Sequence, residues 1–471
     1  MTGIWQLDAT ALLARYRDRS LSPREVMADV LARVERHEPA VNAFVRVAPE
    51  AALAAAAASE ARWAAGNPAG PLDGVPVTVK DNVAWAGHPS RRGSRTSSEA
   101  PVAESAPVVD RLVEAGAIPF GLTTMPEFGW KGLGDSPLTG ITRNPHDTST
   151  TTGGSSAGAA AAAALNLGPL HIGGDGAGSI RIPAAFCGIY GLKPSYGRVP
   201  AFPPSPFAPV SHLGPMTGTV RDAALMLGVM AQPDPRDMLA ERDAPPEYRA
   251  GLEDGVRGLR IAWSPRLGYV EGVDPEVAAL TEAAARAFAE LGATVEEADP
   301  GFADPIDTLN GIWHVGAWCV MRAVPEARRG DLEPGFRAVA ESGSRIAAAD
   351  FVAALGARGA LYTAMARFHE RYDLLLTPAL ATPAFAAGHL TPPDGRFGDD
   401  WLAWTPFTYP FNLTGQPGAT VPCGLTRAGL PVGLQIVGPK GADARVLAAS
   451  RAVEAARPWS LREVPRVTHA G

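Results

Sequence analysis

Cysteine is scarce in this chain: there are three in 471 residues, at Cys187, Cys319 and Cys423. They lie far apart, and an odd number cannot all pair within one chain. That excludes a disulfide framework and points to reduced, small apolar residues in a cytoplasmic protein. HExxH and CxxC spacings are also missing and the nine histidines are scattered, so no metal or other cofactor is expected. Positive charge is not in excess, with 42 Lys+Arg against 49 Asp+Glu and a net charge of −7, and no basic stripe offers a nucleic-acid surface. The most apolar stretch, Ala157 to Leu167, ends at Gly168-Pro169, well short of the roughly 20 residues a membrane span needs. The opening Met1-Thr2-Gly3-Ile4-Trp5-Gln6-Leu7-Asp8 lacks the basic and apolar segments of a secretory signal. What remains is a globular chain, 46% apolar, long enough for a large core.

Ser22-Pro23-Arg24-Glu25 reads as a capping box with proline at the first helical position, opening an amphipathic helix that His37-Glu38-Pro39 is expected to stop. A short strand over Asn42 to Val47 and a helix over Pro49 to Ala65 follow. From Pro71 onward short strands alternate with helices: Val75 to Val79, Ser105 to Ala115, Ile118 to Thr123, Ser156 to Leu167 and Leu170 to Ile172. The alternation predicts an α/β fold, a central mixed and largely parallel twisted sheet sandwiched by helices. It resumes at Leu259 to Trp263 and Ala293 to Glu296. Late strands are expected at Tyr372 to Leu376, Ala419 to Leu425 and Val432 to Val437. One domain over 1–471 is expected, with a helical lead-in over 1–65, a core over 66–240, a more variable helical region over 241–370 and a completion of the core over 371–471.

Two Gly/Ser loops flank one helix and strand: Thr152-Gly153-Gly154-Ser155-Ser156-Ala157-Gly158, and Gly173-Gly174-Asp175-Gly176-Ala177-Gly178-Ser179-Ile180-Arg181-Ile182-Pro183. Ser155, taken alone, is a plain helix N-cap. The second loop strips side chains from a stretch that follows a strand, so backbone N–H groups can converge on an oxygen, and Ser179 could present a hydroxyl beside them. A bare glycine turn and a phosphate cradle compete with this reading. The cradle has no GK[ST], and Pro183 interrupts the helix that should start there. A serine nucleophile needs a base. His171 abuts the second loop, while His88, His146 and His212 lie in unrelated loops, and none is marked by context. The alternative base is a desolvated neutral lysine, and Lys80, at the end of the apolar strand Val75 to Val79, fits that role; alone it would read as a lysine reaching out from a strand end.

Gly74-Val75-Pro76-Val77-Thr78-Val79-Lys80-Asp81-Asn82, Gly153-Gly154-Ser155-Ser156 and Gly178-Ser179-Ile180-Arg181-Ile182-Pro183-Ala184, with Gly191-Leu192-Lys193-Pro194, resemble the amidase signature family. The likeness extends to Leu374 to Pro378 and Gly429 to Gln435, nearly the whole chain. It implies a Ser-Ser-Lys triad in which Ser179 attacks, Ser155 relays the proton and neutral Lys80 is the final base. It also implies an oxyanion hole from the backbone N–H groups of Gly176, Ala177, Gly178 and Ser179, with Asp175 and Arg181 supporting the loop. Gly174 and Gly176 stand where threonine is usual in that family, and Ala177 and Ala157 where glycine is usual. The segment Met125-Pro126-Glu127-Phe128-Gly129-Trp130 resembles the family's substrate loop, so Met125, Phe128, Gly129, Trp130 and Ile182 are candidate substrate contacts; Trp313, Trp318 and Trp404 lie in regions that could wall the pocket.

Three other readings remain. Gly154-Ser155-Ser156-Ala157-Gly158 satisfies GxSxG with Ser156 central, as in α/β-hydrolase esterases, but a polar, Thr-rich segment precedes it instead of an apolar strand. The ammonia-generating subunit of a tRNA-dependent amidotransferase shares the family fold, yet this chain has Ile182 where glutamine is typical there. A non-catalytic binding relative is disfavoured by the presence of all three triad residue types. The resemblance implies a hydrolase of small-molecule aryl or otherwise apolar amides, with carbamates (urethanes) as a second class of substrate, and a monomer or homodimer is expected.

Overall fold

A computed structural model describes residues 3–459. Eleven strands from nearly the full length of the chain form one sheet: β1 Phe44–Val47, β2 Pro76–Lys80, β3 Ile118–Thr123, β4 Leu170–Asp175, β5 Tyr190–Lys193, β6 His212–Thr217, β7 Arg260–Trp263, β8 Thr294–Glu297, β9 Leu374–Pro378, β10 Gly418–Leu425 and β11 Pro431–Val437. Their spatial order is β1-β3-β2-β4-β6-β5-β10-β11-β9-β7-β8. The mixed sheet between helices is as expected. The parallel share is smaller than expected: parallel pairing is confined to β2 with β3 and β4, and to β7 with β8 and β9. The middle of the sheet is antiparallel, because β10 and β11 are joined by a short hairpin turn and β6 pairs antiparallel with both β4 and β5.

β5 and β6 escape the sequence pattern. β6 carries Gly214 and Pro215 mid-strand, residues that normally read as a loop, yet Pro215 pairs in register with Ile172 inside the sheet. The Ser22 capping box forms, with Glu25 N–H donating to Ser22 Oγ and Ser22 N–H to Glu25 Oε2. Its helix, Pro23–Val41, runs through Pro39 and does not stop there. Pro39 falls in the last turn, and the end is set by Asn42 in the left-handed conformation while the Glu38 carboxylate accepts the N–H groups of Ala43 and Phe44.

The helix Ala157–Ala164 is buried on all sides. Small side chains let it sit in the core: a Cβ on Gly158 would collide with Ala43 O, and the helix meets β2 and β4, the strands that end at Lys80 and Asp175. The sheet thus brings the C-terminal ends of β2 and β4 beside the N-terminus of this helix. Among the described residues no helix is long and apolar enough to cross a membrane.

Candidate active site

Lys80 ends β2, a strand buried at every position, and is 1% exposed. Its Nζ lies 2.8 Å from Ser155 Oγ, 3.0 Å from Ser156 Oγ and 3.3 Å from Gly174 O, with no carboxylate in contact among the described residues. Burial pushes its pKa down from 10.5 to about 7, against a smaller opposing pull from Asp175. A lysine held this way is neutral or cationic near physiological pH at little cost, which a surface lysine is not.

Ser155 follows Gly154 through a cis peptide and precedes the helix, for which Ser156 is the N-terminal flanking residue; neither serine side chain caps it. The plain capping reading of Ser155 therefore does not hold. Ser156 Oγ accepts the Gly174 N–H and donates to Gly174 O, both at 3.1 Å, which fixes it against β4. The Ser156 N–H donates to Ser179 O at 3.1 Å, tying the two Gly/Ser loops together. Space at Ser155 is kept open by Gly129, where a Cβ would lie 3.2 Å from Ser155 Oγ.

The second loop is organised around Asp175, fully buried at the end of β4. Its carboxylate accepts Gly178 N–H at 2.7 Å and Ile180 N–H at 3.2 Å, and pairs with the Arg181 guanidinium at 3.0 Å through both Nε and Nη2. Burial alone would raise its pKa, but the Arg181 charge and hydrogen bonds, with Lys193 and Asn412, hold it well below the usual carboxylate range. Arg181, itself 0% exposed, reaches Thr408 O at 2.8 Å, Gln435 Oε1 at 2.7 Å and Asn412 Oδ1 at 2.5 Å. Thr408 Oγ1 donates to Ala177 O at 2.7 Å.

This network corrects one expectation. The Gly178 N–H is engaged by Asp175 and cannot also serve an incoming oxygen, so Gly178 leaves the set of oxyanion donors. The N–H groups of Gly176, Ala177 and Ser179 have no partner among the described residues. The role of Gly178 is conformational: its φ is +127° and a Cβ there would sit 2.5 Å from Thr408 Oγ1. Pro183 is also reassigned. It sits third in the helix Arg181–Cys187, in the first turn, where its missing N–H removes no intrahelical bond.

Of the candidate substrate contacts, Phe128 lines a cavity of about 110 Å³ with Val83, Phe207, Leu213 and Val320, rimmed by Asn82. Lys80, Ser155 and Ser179 are not among its lining residues, and it neighbours them through two glycines: Phe128 precedes Gly129, beside Ser155, and Leu213 pairs with Gly174, where a Cβ would lie 3.6 Å from Leu213 Cδ2 and 3.7 Å from Lys80 Nζ. Met125 is buried with its methyl beside Gly129, and Ile182 packs near Gly132, Gly153 and Gly178. Trp130 is buried and its Nε1–H donates to Glu333 Oε2 at 2.8 Å, so its polar edge serves the fold. Trp404 is fully buried against Phe186, while Trp313 reaches Gly176.

No histidine hydrogen-bonds Ser155, Ser156 or Ser179 among the described residues. His171 is a core residue between Thr78 Oγ1 and Gly168 O, both at 2.9 Å, and burial pushes its pKa down to about 4. His146 holds Cys187 O, and His88 stacks on Trp85. His212, expected in an unrelated loop, instead begins β6 opposite Asp175, and Thr408 and Asn412 carry no signal in the sequence; only their proximity in the fold joins them to the loop. Likewise, no group of three or more His, Cys, Asp or Glu that could hold a metal ion occurs among the described residues.

A buried lysine on a serine pair, facing a glycine loop with free N–H groups, is the arrangement of an acyl-transfer site, and comparison with known proteins agrees. The Amidase family model matches residues 25–447. The chain is 39% identical over 460 residues to an acylamidase of Rhodococcus erythropolis, covering 96% of each. The crystal structure of a bacterial aryl acylamidase superposes with a TM-score of 0.90 at 34% identity over 97% of both chains. A structure of 6-aminohexanoate cyclic dimer hydrolase superposes with a TM-score of 0.89 at 29% identity, over 98% of this chain and 99% of that one. This chain belongs to the amidase signature family of amide hydrolases.

Proposed function

We propose that this protein hydrolyses the C–N bond of apolar, chiefly aryl, amides through an acyl-enzyme on Ser179. The observation that carries the reading is Lys80: buried, without a carboxylate partner, and 2.8 Å from Ser155 Oγ. A neutral amine has two N–H donors and one lone pair. Donating to Ser156 Oγ and Gly174 O leaves the lone pair for the Ser155 hydroxyl proton, whereas the cation donates to all three oxygens, so the same three contacts hold Nζ in both forms of a base.

Ser179 Oγ attacks the amide carbon as its proton passes to Ser155 Oγ and the Ser155 proton passes to Lys80 Nζ. The carbonyl oxygen becomes an oxyanion held by the N–H groups of Gly176, Ala177 and Ser179. On collapse the C–N bond breaks, Ser155 delivers a proton to the leaving amine, and Lys80 returns its own to Ser155. Water then attacks the ester by the same relay, releasing the carboxylic acid and restoring Ser179. Asp175 and Arg181 hold the loop and exchange no proton with the substrate.

The substrate class is taken from the apolar part of the cavity wall, Val83, Phe128, Phe207, Leu213 and Val320, which shares the cavity with the polar Asn82, Arg92 and Ser211. An apolar cavity of roughly 150 Å³ accepts benzene, so a space of about 110 Å³ that opens outward suits one ring. Aryl carbamates present the same carbonyl and leaving group and are proposed as second substrates. Comparing kcat/KM on acetanilide-type amides, aryl carbamates and glutamine tests the reading. The expected order is the aryl amide first and glutamine last, and a clear preference for glutamine would overturn it.

A further inference from the structure

The Asp175–Gly176 peptide is gripped from both ends. Its carbonyl accepts Asn412 Nδ2–H at 3.0 Å and His212 Nδ1–H at 3.2 Å. His212 Nδ1 also faces Val210 O at 2.8 Å, and two carbonyl acceptors at one nitrogen mean that this nitrogen carries the proton. In a trans peptide the N–H points opposite to the C=O, so two donors anchoring Asp175 O aim the Gly176 N–H the other way, and they polarise it as a donor.

The Cα side of the same unit is held sterically. Trp313, on the helix Ile306–Ala323, is 5% exposed and stacks on Phe207 with ring centroids 4.2 Å apart. The edge of its six-membered ring lies against Gly176: a Cβ there would be 2.8 Å from Cζ3 and 3.1 Å from Cη2. Gly176 does not have a positive φ, so its backbone would accept a side chain and only the space forbids one. The backing is firm, because Gly316, one turn along the helix, lets the helix close on the Pro206-Phe207 segment: a Cβ at Gly316 would be 2.7 Å from Pro206 O and 2.8 Å from Phe207 Cδ1.

We infer that Trp313 is a positioning residue that presses on Gly176 and holds the Asp175–Gly176 peptide with its N–H aimed at the developing oxyanion, and that position 176 is glycine in this chain because Trp313 fills the side-chain space. The inference rests on the proposed acyl-enzyme at Ser179, and extends it to a residue that touches neither the serines nor Lys80. Gly176→Ala pushes against the indole and tilts the peptide. Trp313→Phe keeps a ring on Phe207 and withdraws the edge that meets Gly176, so the added methyl then fits.

The experiment measures kcat, KM and the rate of fluorophosphonate labelling of Ser179 for the wild type, Gly176→Ala, Trp313→Phe and the double variant, with thermal melting as a check on folding. Gly176→Ala should lower kcat and labelling by about tenfold to a hundredfold with KM little changed, a fraction of the loss seen when an oxyanion donor is removed outright. Trp313→Phe should cost only about threefold, and the double variant should return to within about threefold of Trp313→Phe, a strongly non-additive pair. Additive losses, or an effect on KM alone, would overturn the inference while labelling of wild-type Ser179 still upheld the acyl-enzyme. Absence of labelling at wild-type Ser179 would instead overturn the acyl-enzyme itself. If Trp313→Phe does not fold, Trp313→Leu in the same set gives the same decision.

Discussion

Replacing Lys80 with methionine keeps the length and apolar stem of the side chain and removes its amine, and the structure predicts opposite effects on activity and stability. With its pKa at about 7, Lys80 is about half neutral at pH 7, whereas an unperturbed lysine would be neutral in roughly one molecule in three thousand. Burial therefore raises the population of competent base on the order of a thousandfold, and kcat/KM of the wild type should rise with pH through an apparent pKa near 7. Lys80→Met should lower kcat/KM by about 10³-fold, within the usual range for a lost general base, and abolish that limb. The stability effect has the other sign. A lysine whose folded pKa is depressed binds its proton more weakly when folded, so it destabilises the native state below about pH 7, and this cost fades as pH rises toward the unfolded value of 10.5. At pH 6 the cost is about 5 kcal/mol from the full shift. Losing three hydrogen bonds of about 1 kcal/mol each offsets part of it, leaving Lys80→Met about 2 kcal/mol more stable by urea unfolding. A variant within tenfold of wild-type activity, or one that keeps the acid limb, would refute the assignment of Lys80 as base.

Other perturbations separate the supporting roles. Asp175→Asn removes the charge that pairs with Arg181, which is 0% exposed, and should cost about 3 to 5 kcal/mol in urea unfolding and most of the activity. Ser156→Ala strips the hydroxyl that bridges Lys80 and Gly174; turnover should fall by about tenfold through lost positioning, of the order of one to two hydrogen bonds, while covalent labelling stays on Ser179. Disappearance of label in that variant would favour Ser156 as the nucleophile. Thr408→Val deletes the donor to Ala177 O at nearly constant volume and should lower kcat with a loss of about 1 to 2 kcal/mol in stability, measured by the same unfolding assay.

The parts of the site legible in the sequence are those confined to one segment. Lys80 is marked as a candidate by the apolar strand it ends and Ser179 by the glycine loop before it, whereas Ser155, by itself a plain cap, and Asp175 and Arg181 take their expected roles from the family resemblance. What holds that loop lies elsewhere: Thr408, Asn412 and Gln435 reach Arg181 from 227 to 254 residues away, and no local periodicity links them. His212 is hidden for a second reason. Gly214 and Pro215 disguise β6 as a loop, so the register that sets His212 opposite Asp175 cannot be read from the sequence. The over-assignment of Gly178 as an oxyanion donor has a related cause. A glycine run advertises free N–H groups, but which of them the Asp175 carboxylate takes is decided by the fold of the loop. Pro39 shows the converse, a residue that usually ends helices tolerated in a final turn because the Glu38 carboxylate and Asn42 close the helix beyond it.

Everything proposed for the reaction turns on Ser179 carrying the acyl group. Peptide mapping by mass spectrometry locates that group, on enzyme quenched during turnover of an activated aryl ester and, in parallel, after reaction with a fluorophosphonate. One adduct per chain is expected, on Ser179, formed with a pH dependence that follows Lys80 and lost in Lys80→Met. An adduct on Ser156 or Ser155, or turnover with no covalent species at all, would contradict the assignment.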